Sequence, residues 1–258
     1  KVQTGFLRAR RDHRTVMLQR SLLRATTVLC AVGLWWLLTA TIWASNPVLS
    51  RIGPFDAVPS LIDTVTSATG WGNIHTSLTR LLLGLFIAVS IGVPLGILLG
   101  TFRKVEEAST PIVNFLRMIS PLAWAPMVIV AFGVGTAPVV FLIAITAVWP
   151  MALGSAAGVK ALDPGWRDVA RSLGAQPREV VRSVVVPGVR AHVLTALRLA
   201  LGVAWVVLVP AEMLGVDSGL GFAVLNARDQ LDYAALGGNV LLIGCIGYIL
   251  DGLFRRLA

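Results

Sequence analysis

Charge is scarce in this sequence. Asp, Glu, Lys and Arg make up 14% of its 258 residues, where an ordinary soluble domain carries about 25%. Hydrophobic residues make up 56%, and the mean hydropathy is +0.79. So few charges cannot keep such a chain in water, which excludes a soluble enzyme and makes lipid the expected solvent. Cysteine is rarer still: Cys30 and Cys245 stand singly in apolar stretches, without the spacing of a disulfide framework or zinc site, and are expected as buried small hydrophobes. His13, His75 and His192 lie far apart near expected interfaces and offer no metal-ligand spacing. Also missing is the phosphate-cradling pattern of glycine, four residues, then Gly-Lys-Ser or Gly-Lys-Thr. Any nucleotide-driven step therefore belongs to another subunit. Carboxylates are few, and all of them, from Asp12 to Glu212 and Asp251, fall in loops or near span ends. A proton- or sodium-coupled carrier needs such a group within the membrane, so that class is disfavoured. No base–nucleophile pair is visible either, and no catalytic or cofactor site is expected in this chain.

What is present is apolar length. A bilayer core of about 30 Å takes about 20 residues of helix, and six stretches qualify, near residues 22–44, 78–102, 111–133, 137–159, 193–214 and 236–254. The expected fold class is an all-α integral membrane protein with six transmembrane helices. The first stretch runs past Trp35 and Trp36 to Trp43 without a small-residue cleavage site and follows a long basic segment, so a retained helix is expected rather than a signal peptide. The chain opens at Lys1 rather than methionine, and the protein is expected to begin upstream. Residues 1–21 form a basic segment, either a solvated tail or an amphipathic surface helix, and residues 22–258 one transmembrane domain.

Sidedness follows from the cations. Lys1, Arg8, Arg10, Arg11, Arg14 and Arg20 precede the first span. Arg103, Lys104, Lys160, Arg167, Arg171, Arg178, Arg182, Arg190, Arg255 and Arg256 fall in the loops and tail that share its side, against only Arg51 and Arg228 opposite. Both termini are therefore expected in the cytoplasm, and the net charge of +9 is explained by positive-inside bias without nucleic acid. On the outer side, residues 46–76 are broken by Pro47, Pro54, Pro59, Gly70 and Gly72 into a loop with a short helix near 60–67. Residues 216–235 are similar in character.

The largest cytoplasmic loop, about 160–190, is built unlike a connector. Asp163 before Pro164 is an N-cap followed by proline at the first helical position, and Gly174 supplies a left-handed stop. The resulting helix of about two turns carries Trp166, Val169, Ala170 and Leu173 on one face and Arg167 and Arg171 on the other. A second helix is expected from Gln176–Pro177, closed by Glu179 and ending before Pro187. A re-entry elbow needs no such caps; a docking element for a cytoplasmic partner does.

The segment DVARSLGAQPREVVRSVVVPG resembles the EAA motif of permeases in ATP-binding-cassette importers, whose pattern is Glu-Ala-Ala, three residues, Gly, nine residues, Ile, one residue, Leu-Pro. Asp168 stands for the glutamate, Val169 and Ala170 for the alanines, Gly174 for the glycine, Val184 and Val186 for the aliphatics, and Pro187 for the proline. Residues 75–85, 115–135, 197–222 and 246–251 resemble the nitrate/sulfonate/taurine/bicarbonate branch of those permeases. The resemblance implies a type I importer fold in a bacterial inner membrane. It also implies a permease dimer, expected as a homodimer, two cytoplasmic ATPase subunits that bind ATP and Mg, and an extracytoplasmic binding protein that delivers the solute. Asp168, Val169, Ala170, Arg171, Gly174 and Pro187 then couple the permease to the ATPase, with Ala170 and Gly174 facing the ATPase groove or making the turn beside it. The implied cargo is a small oxyanion or sulfonate-like solute, with another small organic solute such as a thiamine precursor as the alternative.

Two arginines enter apolar spans. At 1.5 Å per residue, Arg117 lies about two turns inside the third span and Arg198 about one to two turns inside the fifth. A lone arginine near the bilayer centre costs about 2.5–3.5 kcal/mol, so each must meet protein, water or the interface. Two roles stay open: snorkelling or a structural hydrogen bond, and a group of cations around the inner pathway that attracts a passing anion.

Overall fold

The computed structural model describes residue 23, residues 26–42 and residues 49–257, and every regular element among them is helical. The expected basic segment 1–21 lies outside the described residues. Helix α1 spans Thr26–Ile42 and widens to π geometry over Leu38–Ile42. A 3-10 turn at Leu49–Ile52 leads to α2, Pro54–Thr66, and α3, Ala68–Thr101. Then come α4, Arg103–Met118, a 3-10 turn at Pro121–Trp124 that continues into α5, Ala125–Phe132, and α6, Thr136–Ala161. The loop after α6 holds α7, Pro164–Ser172, α8, Pro177–Val180, a π segment at Val181–Val185 and α9, Val186–Gly188. The chain closes with α10, Arg190–Met213, α11, Leu220–Asp229, and α12, Tyr233–Leu257.

Four of these, α3, α6, α10 and α12, are long and apolar enough to cross a membrane, and α4 with its continuation counts as a fifth. The expected third span, 111–133, is not one rod: α4 and the Pro121–Phe132 helix meet at 83°. Pro121 and Pro126 withhold two amides that a continuous helix would need, and Ser120, the residue before Pro121, is turned from helical angles at ψ 127°. Residues 49–76, expected mostly as an outer loop, are more helical than expected. Ser67 caps α3 by accepting from the Gly70 N–H at 3.0 Å, so the second span starts ten residues before the expected position 78.

Helix α3 packs on α6 through a ladder of small residues at every fourth position: Gly84, Ala88, Gly92, Gly96 and Gly100. Apolar lipid gives helices no hydrophobic reason to associate, so close backbone approach and dispersion must do it. A methyl at Gly92 would stand 2.6 Å from the Met151 Cβ, and one at Gly96 2.2 Å from the Ala152 carbonyl oxygen. On another side of α6, Gly154 receives the Ala196 Cβ and Gly158 that of His192 from α10. Gly96→Leu is therefore expected to cost about 1–3 kcal/mol or more by overpacking and to lower the melting temperature of the detergent-purified protein. Gly72, where an added Cβ meets nothing within 4 Å, is the control site. Equal melting of the two leucine variants would refute the ladder.

Cys30 and Cys245 are both free and exposed, contrary to the expected burial. Cys245 sits on an outward face of the spanning helix α12, where covering an apolar side chain falls to lipid rather than to the protein's own core, and Cys30 sits on the exposed face of the shorter apolar helix α1.

Candidate functional site

The loop after α6 forms as its caps dictate. Asp163 Oδ1 accepts from the Gly165 N–H at 2.8 Å. At the other end Gly174 has φ +83°, the Ala175 N–H reaches the Ala170 carbonyl at 3.1 Å, and the Gly174 N–H reaches that of Arg171 at 2.9 Å. This is a Schellman closure, and it satisfies carbonyls that the end of α7 would leave open.

The two faces of α7 are not divided quite as its periodicity suggested. Trp166, Val169 and Leu173 are exposed, Ala170 is half-buried, and Arg167 turns inward. Its Nη2 donates to the Val159 carbonyl at 2.5 Å, in the last turn of α6, where a cation also meets the negative end of the helix dipole. Arg167 thus ties α7 to the spanning helix α6. Asp168 and Arg171 remain on the surface as a loose pair at 3.6 Å.

The return segment differs from expectation. It does not end before Pro187; the chain passes through the π segment into α9, and the Val186 N–H reaches back five residues to Val181. The wider π turn makes room for a proline ring that an α-turn would set against a carbonyl. The expected cap is present: the Gln176 N–H donates to Glu179 Oε2 at 2.7 Å. Pro187, Trp166 and Val169 line one apolar cavity of about 650 Å³. Five of the six expected coupling residues therefore lie on α7 or its stop, and Pro187 faces them from the returning chain.

Arg198 is paired: its Nε donates to Asp251 Oδ1 at 2.9 Å, and Arg255 Nη2 donates to Oδ2 of the same carboxylate at 2.8 Å. This bridge joins α10 to α12. Arg117 stands on the last turn of α4, just before the 83° break, exposed and with no hydrogen bond or ion pair to any described residue. The two arginines thus have different surroundings.

A third arginine escaped the sequence analysis. Arg80 and Glu212 form a buried ion pair at 2.9 Å, with side chains 3% and 0% exposed. The Glu212 carboxylate also accepts from Ser77 Oγ at 2.8 Å and from the Gly221 N–H at 2.9 Å. Arg80 Nη1 donates to the Ser218 carbonyl at 2.7 Å, and its Nε donates to Thr136 Oγ1 at 3.3 Å. One network thus ties α3, the start of α6, the end of α10 and the turn into α11. Glycine is required where the turn passes: a Cβ at Gly219, whose φ is +110°, would stand 2.4 Å from Glu212 Oε1. Glu212 does lie near its helix end, as expected, but sealed in protein. The sequence carried one signal for this pair, opposite charges at the ends of two apolar spans.

Residues 92–258 match the family described as the binding-protein-dependent transport system inner membrane component. The taurine transport system permease protein TauC of Escherichia coli (strain K12) is 33% identical over 237 residues, 90% of this chain and 85% of that protein. The bicarbonate transport system permease protein CmpB of Synechococcus elongatus is 38% identical over 183 residues, 70% of this chain and 65% of that one. A putative ABC transporter permease of Methanocaldococcus jannaschii is 34% identical, over 86% of this chain and 84% of its own length. Among solved structures, an inward-facing form of the MetNI methionine ABC transporter superposes with a TM-score of 0.60 at 20% identity, over 72% of this chain and 92% of that one. A histidine-bound amino acid ABC transporter gives 0.51 at 21% identity, over 81% and 94%.

Proposed function

Since the chain belongs to the inner-membrane components of binding-protein-dependent transport systems, and is a multi-pass permease subunit of an ATP-binding-cassette importer, we propose that its cargo is a small oxyanion or sulfonate. The observation that carries this is similarity to taurine and bicarbonate permeases that runs through most of the chain, including the docking loop. It supports the anion class over a thiamine precursor. In the working complex two copies of this chain stand side by side with both termini in the cytoplasm. Two ATPase subunits below bind ATP and Mg, and an extracytoplasmic binding protein delivers the solute.

Coupling runs through α7. Trp166, Val169 and Leu173 present the apolar surface to the ATPase, with Asp168 and Arg171 at its margin. When the ATPases close on ATP they displace α7, and the permease passes from inward-open to outward-open as its equilibrium shifts. Hydrolysis reverses the shift and frees the solute inward. The Arg167 contact to Val159 carries that displacement directly into α6.

The test is uptake by cells expressing the permease with its ATPase and binding protein. Taurine, an alkanesulfonate, nitrate and bicarbonate are offered singly, each with and without the binding protein. ATP-dependent uptake of at least one anion is expected, lost when the binding protein is absent. Uptake of none of the four, in cells where the complex assembles, would refute the reading.

A further inference from the structure

At the break between α4 and the Pro121–Phe132 helix lies a cavity of about 350 Å³, within the range of small-ligand pockets. Arg117 lines it from one side of the break and Trp124 from the other. Thr146, Trp149 and Leu153 of α6 and Val203 of α10 complete the walls used here. Three features define its chemistry. Arg117 is the only charged residue of the lining, and its guanidinium has no partner among the described residues, unlike Arg80 and Arg198. Thr146 has already committed its proton to the Leu142 carbonyl at 2.6 Å, so it offers an anion no donor. The indole N–H groups of Trp124 and Trp149 make no hydrogen bond to any described residue, and the remaining wall is largely apolar.

We propose that this cavity is a transit site for an organic anion, a sulfonate or carboxylate carrying an apolar tail, with Arg117 taking the head and Trp124, Trp149, Leu153 and Val203 the tail. The proposal rests on the import reading above and narrows its substrate class. A bare oxyanion such as nitrate or bicarbonate is hydrated on every side, and one guanidinium with two indole donors replaces only part of that shell. A tailed anion loses water mainly at its head and gains at its tail, by about fourfold in affinity for each methylene buried. The broken helix suits the role. Non-helical backbone at membrane depth is tolerated where it is buried in protein or borders a water-filled cavity, and broken helices frame solute sites in membrane carriers.

The experiment is calorimetric titration of the purified permease–ATPase complex, without nucleotide, in phosphatidylcholine nanodiscs, with empty discs as the blank. The probes are ethane-, butane- and hexanesulfonate, nitrate and bicarbonate. Affinity is expected to rise at least tenfold from ethane- to hexanesulfonate, with both inorganic anions at least tenfold weaker than butanesulfonate. Arg117→Gln should weaken hexanesulfonate at least tenfold, Arg117→Lys should retain most of the affinity, and Trp149→Ala should flatten the chain-length series. Nitrate binding as tightly as hexanesulfonate, or wild-type affinity in a monodisperse Arg117→Gln complex, would overturn the proposal. So would loss of hexanesulfonate binding when phosphatidylglycerol replaces phosphatidylcholine, since an anionic lipid would then be the occupant. Because binding is measured apart from uptake, intact binding with no uptake counts against the import reading alone. Uptake without this binding pattern counts against the site alone.

Discussion

Glu212→Ala is expected to leave too little folded permease to purify. Removing one partner of a buried pair strands the other, and the cost is about 3–5 kcal/mol, a large part of the stability of a typical domain. Here the loss is compounded, because Ser77 and the Gly221 N–H also donate to that carboxylate. Glu212→Gln keeps an acceptor but not the charge, so it should fall between alanine and wild type. The double variant Arg80→Leu/Glu212→Leu removes both charges and should recover part of the loss. Melting temperature and monodisperse yield in detergent measure all three. A single alanine variant that melts within a few degrees of wild type would show that the network does not hold the outer end together.

The second large effect is on coupling. Gly174→Val is expected to abolish uptake while the permease remains in the membrane. Nothing of this chain lies within 4 Å of a Cβ at Gly174, so the damage comes from the backbone rather than from an internal collision. A β-branched residue at φ +83° costs about 1–3 kcal/mol, and it opens the Schellman closure that sets the end of α7. Gly174→Asn tolerates the left-handed angle and should retain much of the uptake. If the valine variant still imports solute and still stimulates ATP hydrolysis, α7 is not the docking element. Co-purification of the ATPase with the variant separates lost coupling from lost assembly.

The features legible in the sequence are those whose physics is local. Asp163, Pro164 and Gly174 announce a capped helix within a dozen residues, and the caps form as expected. Long apolar runs announce spans because each stands alone against the bilayer. Features that need two distant segments were hidden. Arg80 and Glu212 are 132 residues apart, and neither looks unusual in its own window. The break before Pro121 was hidden differently: the stretch is apolar apart from Asn114, Arg117 and Ser120, and hydropathy measures composition over a window, not whether the backbone inside it is straight. The outward-facing Cys30 and Cys245 show the same limit, since an apolar run does not reveal which of its faces meets protein.

The glycine notches of α3 and α6 also restrict how this molecule can move. Each notch is filled by the backbone or Cβ region of the residue now facing it, among them Ile143, Met151, Val159 and His192, so sliding one helix along the other by a single residue, about 1.5 Å, would drive a side chain into a site with no volume for it. Shear is thereby blocked at Gly84, Gly92, Gly96 and Gly100 on α3, and at Gly154 and Gly158 on α6. With α3, α6 and α10 fastened in this way and pinned at one end by Arg80 and Glu212, a pull on α7 cannot be absorbed as slippage. Under the coupling proposed above it would be transmitted as a tilt of the three helices together, a lever whose fulcrum is the Arg80–Glu212 pair and whose longest throw is at the end nearest α7.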